Sequence, residues 1–320
     1  MSTVIKHKEF ASRRLYETQV AGRPLKIEVG KVAELAAASA MVTYGETTVM
    51  VAVTCSARPR DGIDFFPLSV DFEEKLYAVG RIPGSFLRRE GQPSLPAVLA
   101  SRVIDRSIRP LFPSDFRNDV VVTATVMSLD PACSPEVTAM IGVSACLAYS
   151  NIPWAGPIGC LEVGYVDGQI VMNPTQAQKE QSQLDLTVAA TAGKVIMIEA
   201  GAKELPDDVM YDAILKAHAE IQQQVEFIRT IVAEIGKEKM TYEHADFDQA
   251  LFDKIVEQTM DQARAAMDTD DKNIREERWN ALIDRWHELF LEEFPEMDKY
   301  LEEITYKFQK KIVKAWLLEG

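Results

Sequence analysis

The residues with the clearest chemical purpose fall in one stretch, Gly80–Ser94, which reads GRIPGSFLRREGQPS. It carries Arg81, Arg88 and Arg89 beside a single ring, Phe86, with Gly80, Pro83 and Gly84 near its start. No helical or strand period runs through it, so it is expected to be a shaped loop that presents cations and a ring outward. Guanidinium forks match phosphate oxygens, and an aromatic face stacks on an unpaired base without regard to its identity. The loop therefore suits phosphate or single-stranded nucleic acid. A solvated turn whose arginines pair with Glu73, Glu74 or Glu90 would use the same residues. Just downstream, Arg102, Arg106 and Arg109 are spaced i, i+4 and i+7 and would share one helical face.

Other chemistry is thinly signalled. Asp64, Asp71 and Asp185 stand beside or on expected strands, where a carboxylate serves as a magnesium ligand or, more commonly, as a turn cap or surface partner. His7, His218, His244 and His287 are scattered and adjoin no nucleophile motif. The four cysteines, Cys55, Cys133, Cys146 and Cys160, form no CxxC pair. That favours reduced thiols in a cytoplasmic protein over a zinc site, and no metal-ligating or catalytic residue is assigned. No run approaches the ~20 apolar residues of a membrane span, and the N-terminus has no apolar stretch typical of a signal peptide.

Charge is uneven. The net is −14, but residues 1–200 hold 19 basic and 21 acidic side chains, whereas residues 201–320 hold 16 and 28. A basic patch in the first part thus remains compatible with an acidic whole, and any nucleic-acid contact should be local.

The elements that must position the loop read as α+β. Leu25, Ile27 and Val29 alternate with polar residues, Gly45-Glu46 marks a hairpin turn, and Phe66, Leu68, Val70 and Phe72 alternate again toward the loop. Ala97–Arg109 reads as a helix stopped by Pro110, Val120–Leu129 as a strand, and Pro135–Ser150 as a buried helix. Further turns at Asp167-Gly168 and Ala192–Lys194 bring the expectation to seven or eight strands and two main helices before residue 200. A long helix runs from Pro206 to Gly236, and residues 248–316 are helical and charged, with Trp279, Trp286 and Trp316 expected in their core.

The stretches DFFPLSVDFEEKLYAVGRIPGSFLRREGQPS, RVIDRSIRPLFP, AMIGVSACLAYSNIPWAGPIG, NPTQ and LDLTVAAT resemble the polynucleotide phosphorylase family over essentially residues 10–320. The resemblance implies a first ribonuclease PH-like domain over 1–205, a helix over 206–240 that closes it, and an all-α domain over 241–320. It implies membership of a 3′-to-5′ phosphorolytic exoribonuclease that uses inorganic phosphate, releases nucleoside diphosphates, works reversibly and assembles as a homotrimer. The family's chemistry and its magnesium belong to a second core domain that would begin after Gly320, so this stretch alone is expected to be inactive. The family's phosphate-binding serines correspond here to Ser134-Pro135-Glu136, and its Asp-Phe-Lys triplet to Asp185-Leu186-Thr187, which implies a degenerate site. Phe86, Arg88 and Arg89 carry over onto the family's RNA-gripping loop, with Leu87 where a second ring is common and Gln92 where an arginine is common. Arg81, Arg102, Arg106 and Arg109 are expected to join them on single-stranded RNA. For the three helix arginines, an ion-paired scaffold role fits the spacing equally well. A stand-alone, non-catalytic ring subunit that binds RNA is the alternative.

Overall fold

A computed structural model describes residues 11–84, 86–244 and 247–319; His7 and Ser85 lie outside the described residues. The chain divides into two compact units, Met1–Glu243 and His244–Gly320.

The first unit holds two sheets. Strands β1 (Arg14–Val20), β2 (Arg23–Val29), β3 (Ala38–Tyr44), β4 (Thr47–Cys55), β5 (Leu68–Glu73) and β6 (Val120–Ser128) form one sheet in the order β1-β2-β3-β4-β6-β5. Neighbours are antiparallel except β5 and β6, which run parallel with Leu68 opposite Val120. Parallel neighbours need a long crossover. Here the crossover contains the 80–94 loop and helix α1 (Leu95–Ile108), so the loop leaves from the C-terminal end of β5. Strands β7 (Gly159–Val166), β8 (Gln169–Met172), β9 (Leu184–Ala190) and β10 (Val195–Ala202) form the second, antiparallel sheet in the order β10-β9-β7-β8.

Between them lies helix α2 (Pro135–Tyr149), packed on β3, β4 and β7. Its residues from Val137 to Tyr149 are all buried, which explains why the sequence shows no polar face there. Gly142 lets the helix approach the first sheet: a Cβ at this position would sit 2.8 Å from a methyl of both Val42 and Val51. After the short α3 (Gln176–Gln181), helix α4 (Asp207–Ile235) lays Ala217, Ile221, Val225 and Ile228 against α2 and the second sheet. Lys239 then donates to the carbonyls of Leu147, Ala148 and Ser150 at 2.8–3.0 Å and so caps the C-terminal end of α2.

Among the described residues ten strands replace the seven or eight expected. Strand β1 went unsignalled because only Tyr16 and Val20 of its seven residues are buried. Helix α3 is polar throughout and held by a Thr175–Gln178 capping box.

The second unit comprises α5 (Gln249–Met267), α6 (Lys272–Phe290) and α7 (Leu301–Glu319). Trp279, Trp286 and Phe308 meet at its centre with ring centroids 6.0–6.2 Å apart, and the Trp286 indole donates to Thr259 at 3.1 Å. Trp316 is a correction: it lies partly exposed on α7 rather than in this core.

Candidate nucleic-acid interface

A 3-10 turn, Leu76–Val79, ends β5's outgoing chain at Gly80, whose φ of +70° allows its N–H to close the turn on Tyr77. The Arg81 N–H bonds the Leu76 carbonyl at 2.9 Å. At the other end Ser94 caps α1 by accepting from the Ala97 N–H at 3.1 Å, with Pro96 in the first turn. Both ends of the loop are thus fixed by local hydrogen bonds. Within it Arg88 adopts φ +48°, a left-handed conformation that costs a non-glycine residue about 1 kcal/mol.

The Phe86 ring is fully exposed, and Ile82 and Leu87 beside it are largely so. A folded chain seldom leaves three such side chains in one loop without a use for them.

The electrostatic question left open by sequence was whether the loop arginines pair with nearby glutamates. They do not. Glu73 bonds Lys75 at 2.9 Å and accepts from Thr125. Glu74 accepts from Ser94, and Glu90 accepts from the Leu76 N–H at 3.0 Å. All three glutamates are engaged by the scaffold. Among the described residues the side chains of Arg81, Arg88 and Arg89 form no hydrogen bond or ion pair, and all three are exposed.

The helix arginines divide. Arg102 and Arg106 project from α1 beside Val70, Ser101 and Asp105 around a shallow depression of about 270 Å³, exposed and, among the described residues, without an ionic partner, since Asp105 pairs with Arg109. Arg109 is consumed. Its fork meets both oxygens of Asp105 at 2.7 and 2.9 Å and donates to the carbonyls of Phe66 and Leu68 at 3.2 Å, while its carbon lies 5.6 Å from the Phe66 ring centre. It ties the end of α1 to the start of β5. Of the two roles its spacing allowed, Arg109 fills the scaffold one.

A separate cleft of about 680 Å³ lies at the N-terminal end of α2. It gathers Ser134, Glu136, Glu162, Lys179, Asp185, Thr187 and Glu199. Ser134 is spent on capping α2, and Lys179 is paired with Glu162 at 2.6 Å. Burial, reinforced by the charge of Glu162 and then of Glu199 and Asp185, pushes the Glu136 carboxyl up to about 7. A helix N-terminus ordinarily welcomes an anion, but here five carboxylates, Asp130 among them, line the cleft with one engaged lysine, and an incoming phosphate meets net negative charge. No cluster of three or more His, Cys, Asp or Glu is arranged to hold a metal among the described residues. Asp64 and Asp71 lie outside this cleft.

The chain is similar to known proteins in sequence and in fold. Residues 21–153 match domain 1 of the 3′ exoribonuclease family, and residues 156–220 match domain 2. The chain belongs to the 3′ exoribonuclease family. Its relatives within that family include the polyribonucleotide nucleotidyltransferase of Ruminiclostridium cellulolyticum, 50% identical over 304 residues, which covers 95% of this chain and 43% of the relative. The corresponding protein of Clostridioides difficile is 53% identical over 259 residues, or 81% of this chain and 37% of the relative. The chain therefore spans less than half the length of these curated relatives. Among solved structures, rice (Oryza sativa) Rrp46 superposes with a TM-score of 0.54 at 16% identity, covering 67% of this chain and 96% of that one. That likeness confirms a ribonuclease PH-like α+β fold, with the helical region following it in this member of the 3′ exoribonuclease family.

Proposed function

We propose that this chain is the RNA-capturing part of a polyribonucleotide nucleotidyltransferase, and that Gly80–Ser94 holds single-stranded RNA on its way to a reaction centre elsewhere in the full protein. One observation carries the reading. Among the described residues, Arg81, Arg88 and Arg89 of the loop that carries the fully exposed Phe86, and Arg102 and Arg106 of α1 that follows it, stand exposed and without ionic partners, while Glu73, Glu74 and Glu90 are tied to the scaffold. Phosphates would take the guanidinium forks and a base would stack on Phe86. Leu87 adds apolar contact without a second π-face, and Gln92 adds no charge.

The reaction of the full protein would be attack of a phosphate oxygen on the terminal 3′–5′ phosphodiester, releasing a nucleoside diphosphate and a chain one nucleotide shorter. The Glu136 cleft supports placing that reaction in another domain, since an incoming phosphate would meet carboxylates here; the magnesium of the full protein would be held there too. A homotrimeric ring would bring three such loops together. The four cysteines are free thiols, three of them buried, which supports a reducing, cytoplasmic setting.

Titration of labelled single-stranded RNA tests the reading. Arg88→Ala with Arg89→Ala should weaken binding and flatten the dependence of affinity on salt by about 1.4 in log–log slope, the loss expected for two phosphate contacts on a single strand. An unchanged affinity and slope would remove the loop from the interface.

A further inference from the structure

Behind the loop lies a cavity of about 480 Å³ that the RNA-gripping role does not use. Its size falls within the range of small-molecule sites. The loop's own C-terminal arm, Glu90–Ser94, forms one wall, and Phe72, Leu76, Val79 and Val126 supply apolar surface opposite. The charged groups on its lining are Glu73, Glu74, Glu90 and Lys75, and Lys75 is already neutralised by Glu73. The interior is therefore net negative although the loop outside is cationic.

That contrast decides what can enter. A phosphate is repelled by the carboxylates and held outside by Arg88 and Arg89. A neutral, flat, largely apolar group is admitted by the walls, and a strand gripped at the loop offers one in each base. The free edge inside the cavity is an acceptor. Glu90 uses Oε1 to accept from the Leu76 N–H at 3.0 Å, and among the described residues its second oxygen has no partner. A carboxylate oxygen rewards a base edge that carries an amino group and disfavours one that carries a carbonyl.

We propose that the cavity beneath the 80–94 loop receives one base from the bound strand and that Glu90 selects bases bearing an exocyclic amine, cytosine over uracil among the pyrimidines. The inference rests on the RNA-binding reading and adds a sequence preference to it. The two pyrimidines have nearly the same size and stacking and differ on one edge, where cytosine offers the N4 amine beside an N3 acceptor and uracil the O4 carbonyl beside an N3–H, so a Glu90 contact at position 4 reads as a preference for cytosine.

The experiment is fluorescence anisotropy of the 320-residue chain with end-labelled oligo(C) and oligo(U) of equal length at one salt concentration. The wild-type chain should bind oligo(C) about five- to tenfold more tightly. Glu90→Gln keeps an acceptor for the Leu76 N–H and turns the free oxygen into an amide donor. It should bring the ratio to one or invert it toward oligo(U), which offers a carbonyl, without changing the salt slope. Val79→Trp, at a half-exposed position on the cavity wall, should also abolish the preference by filling the space. Equal wild-type affinity for the two oligomers, with Arg88→Ala/Arg89→Ala still weakening both, overturns the base pocket and leaves the RNA grip standing. A preference that survives Glu90→Gln overturns the role of Glu90. Failure of the wild-type chain to bind either oligomer overturns the grip and the pocket together.

Discussion

At the scale of single residues, the same side-chain type takes opposite roles depending on what lies within 3 Å. Spacing put Arg102, Arg106 and Arg109 on one expected helical face, but it could not tell which would be consumed. Arg109 meets Asp105 one turn back and two carbonyls more than forty positions away in the chain, at Phe66 and Leu68. Arg109→Ala should therefore cost about 1 kcal/mol of stability in urea unfolding, discounted for its partial exposure, and leave the RNA salt slope unaltered. A fall in slope without loss of stability would show it to be a phosphate contact instead. Glu136 gives a second residue-scale expectation. Its folded carboxyl titrates at about 7, above its ordinary value near 4.5, so the folded state holds more protons than the unfolded state between those pH values. Stability from this group is fully present below about pH 4.5 and is lost as pH rises through 7. Glu136→Gln should make the protein roughly 2 kcal/mol more stable than wild type at pH 8, a difference that closes toward pH 4.5 in paired denaturation curves. A constant offset across that range would mean that Glu136 is not the titrating group.

At the scale of elements, what could be read in advance followed how strongly local chemistry dictates structure. The turns at Gly45-Glu46 and Asp167-Gly168, the Pro110 stop and the apolar run of α2 announce themselves, because glycine, proline and full burial leave few choices. Strand β1 and helix α3 did not, since both are defined by neighbours more than by their own pattern: β1 by its ladder to β2, α3 by a capping box. Trp316 was misplaced because helical spacing says which residues share a face but not which face is covered. The loop itself was legible as a loop; that Glu74 and Glu90 would be drawn off by Ser94 and the Leu76 N–H was not, as those bonds depend on how the arm folds back. Helix α2 approaches the first sheet closely at Gly142. Gly142→Ala would put a methyl 2.8 Å from Val42 and Val51, both fully buried, and neither can move without disturbing the β3–β4 pair. Overpacking of that kind should cost about 1–3 kcal/mol in chemical unfolding, whereas a glycine-to-alanine change in an unobstructed helix would stabilise by up to about 1 kcal/mol. The sign of the change alone separates the two.

At the scale of the whole molecule, the proposed function asks an acidic chain to hold a polyanion. The net charge is −14, and residues 201–320 hold 28 acidic against 16 basic side chains. Long-range attraction therefore cannot supply the affinity; it must come from contacts within about a Debye length, roughly 8 Å at physiological salt. Among the described residues, five arginines of the proposed interface form no ion pair, Arg81, Arg88, Arg89, Arg102 and Arg106. Each phosphate neutralised on a single strand contributes about 0.7 to the slope of log affinity against log salt, so five set a ceiling near 3.5 for this chain. Affinity measured from low to moderate salt should give a slope between about 2 and 3.5, with association slower than for a basic RNA-binding surface, because the acidic remainder opposes approach. A slope well above that ceiling would require phosphate contacts from cations that the scaffold now holds, Arg109 or Lys75 first among them, and would mean that the strand pries those pairs apart on binding. A slope near zero would mean that stacking on Phe86 and burial of a base carry the interaction with little help from charge.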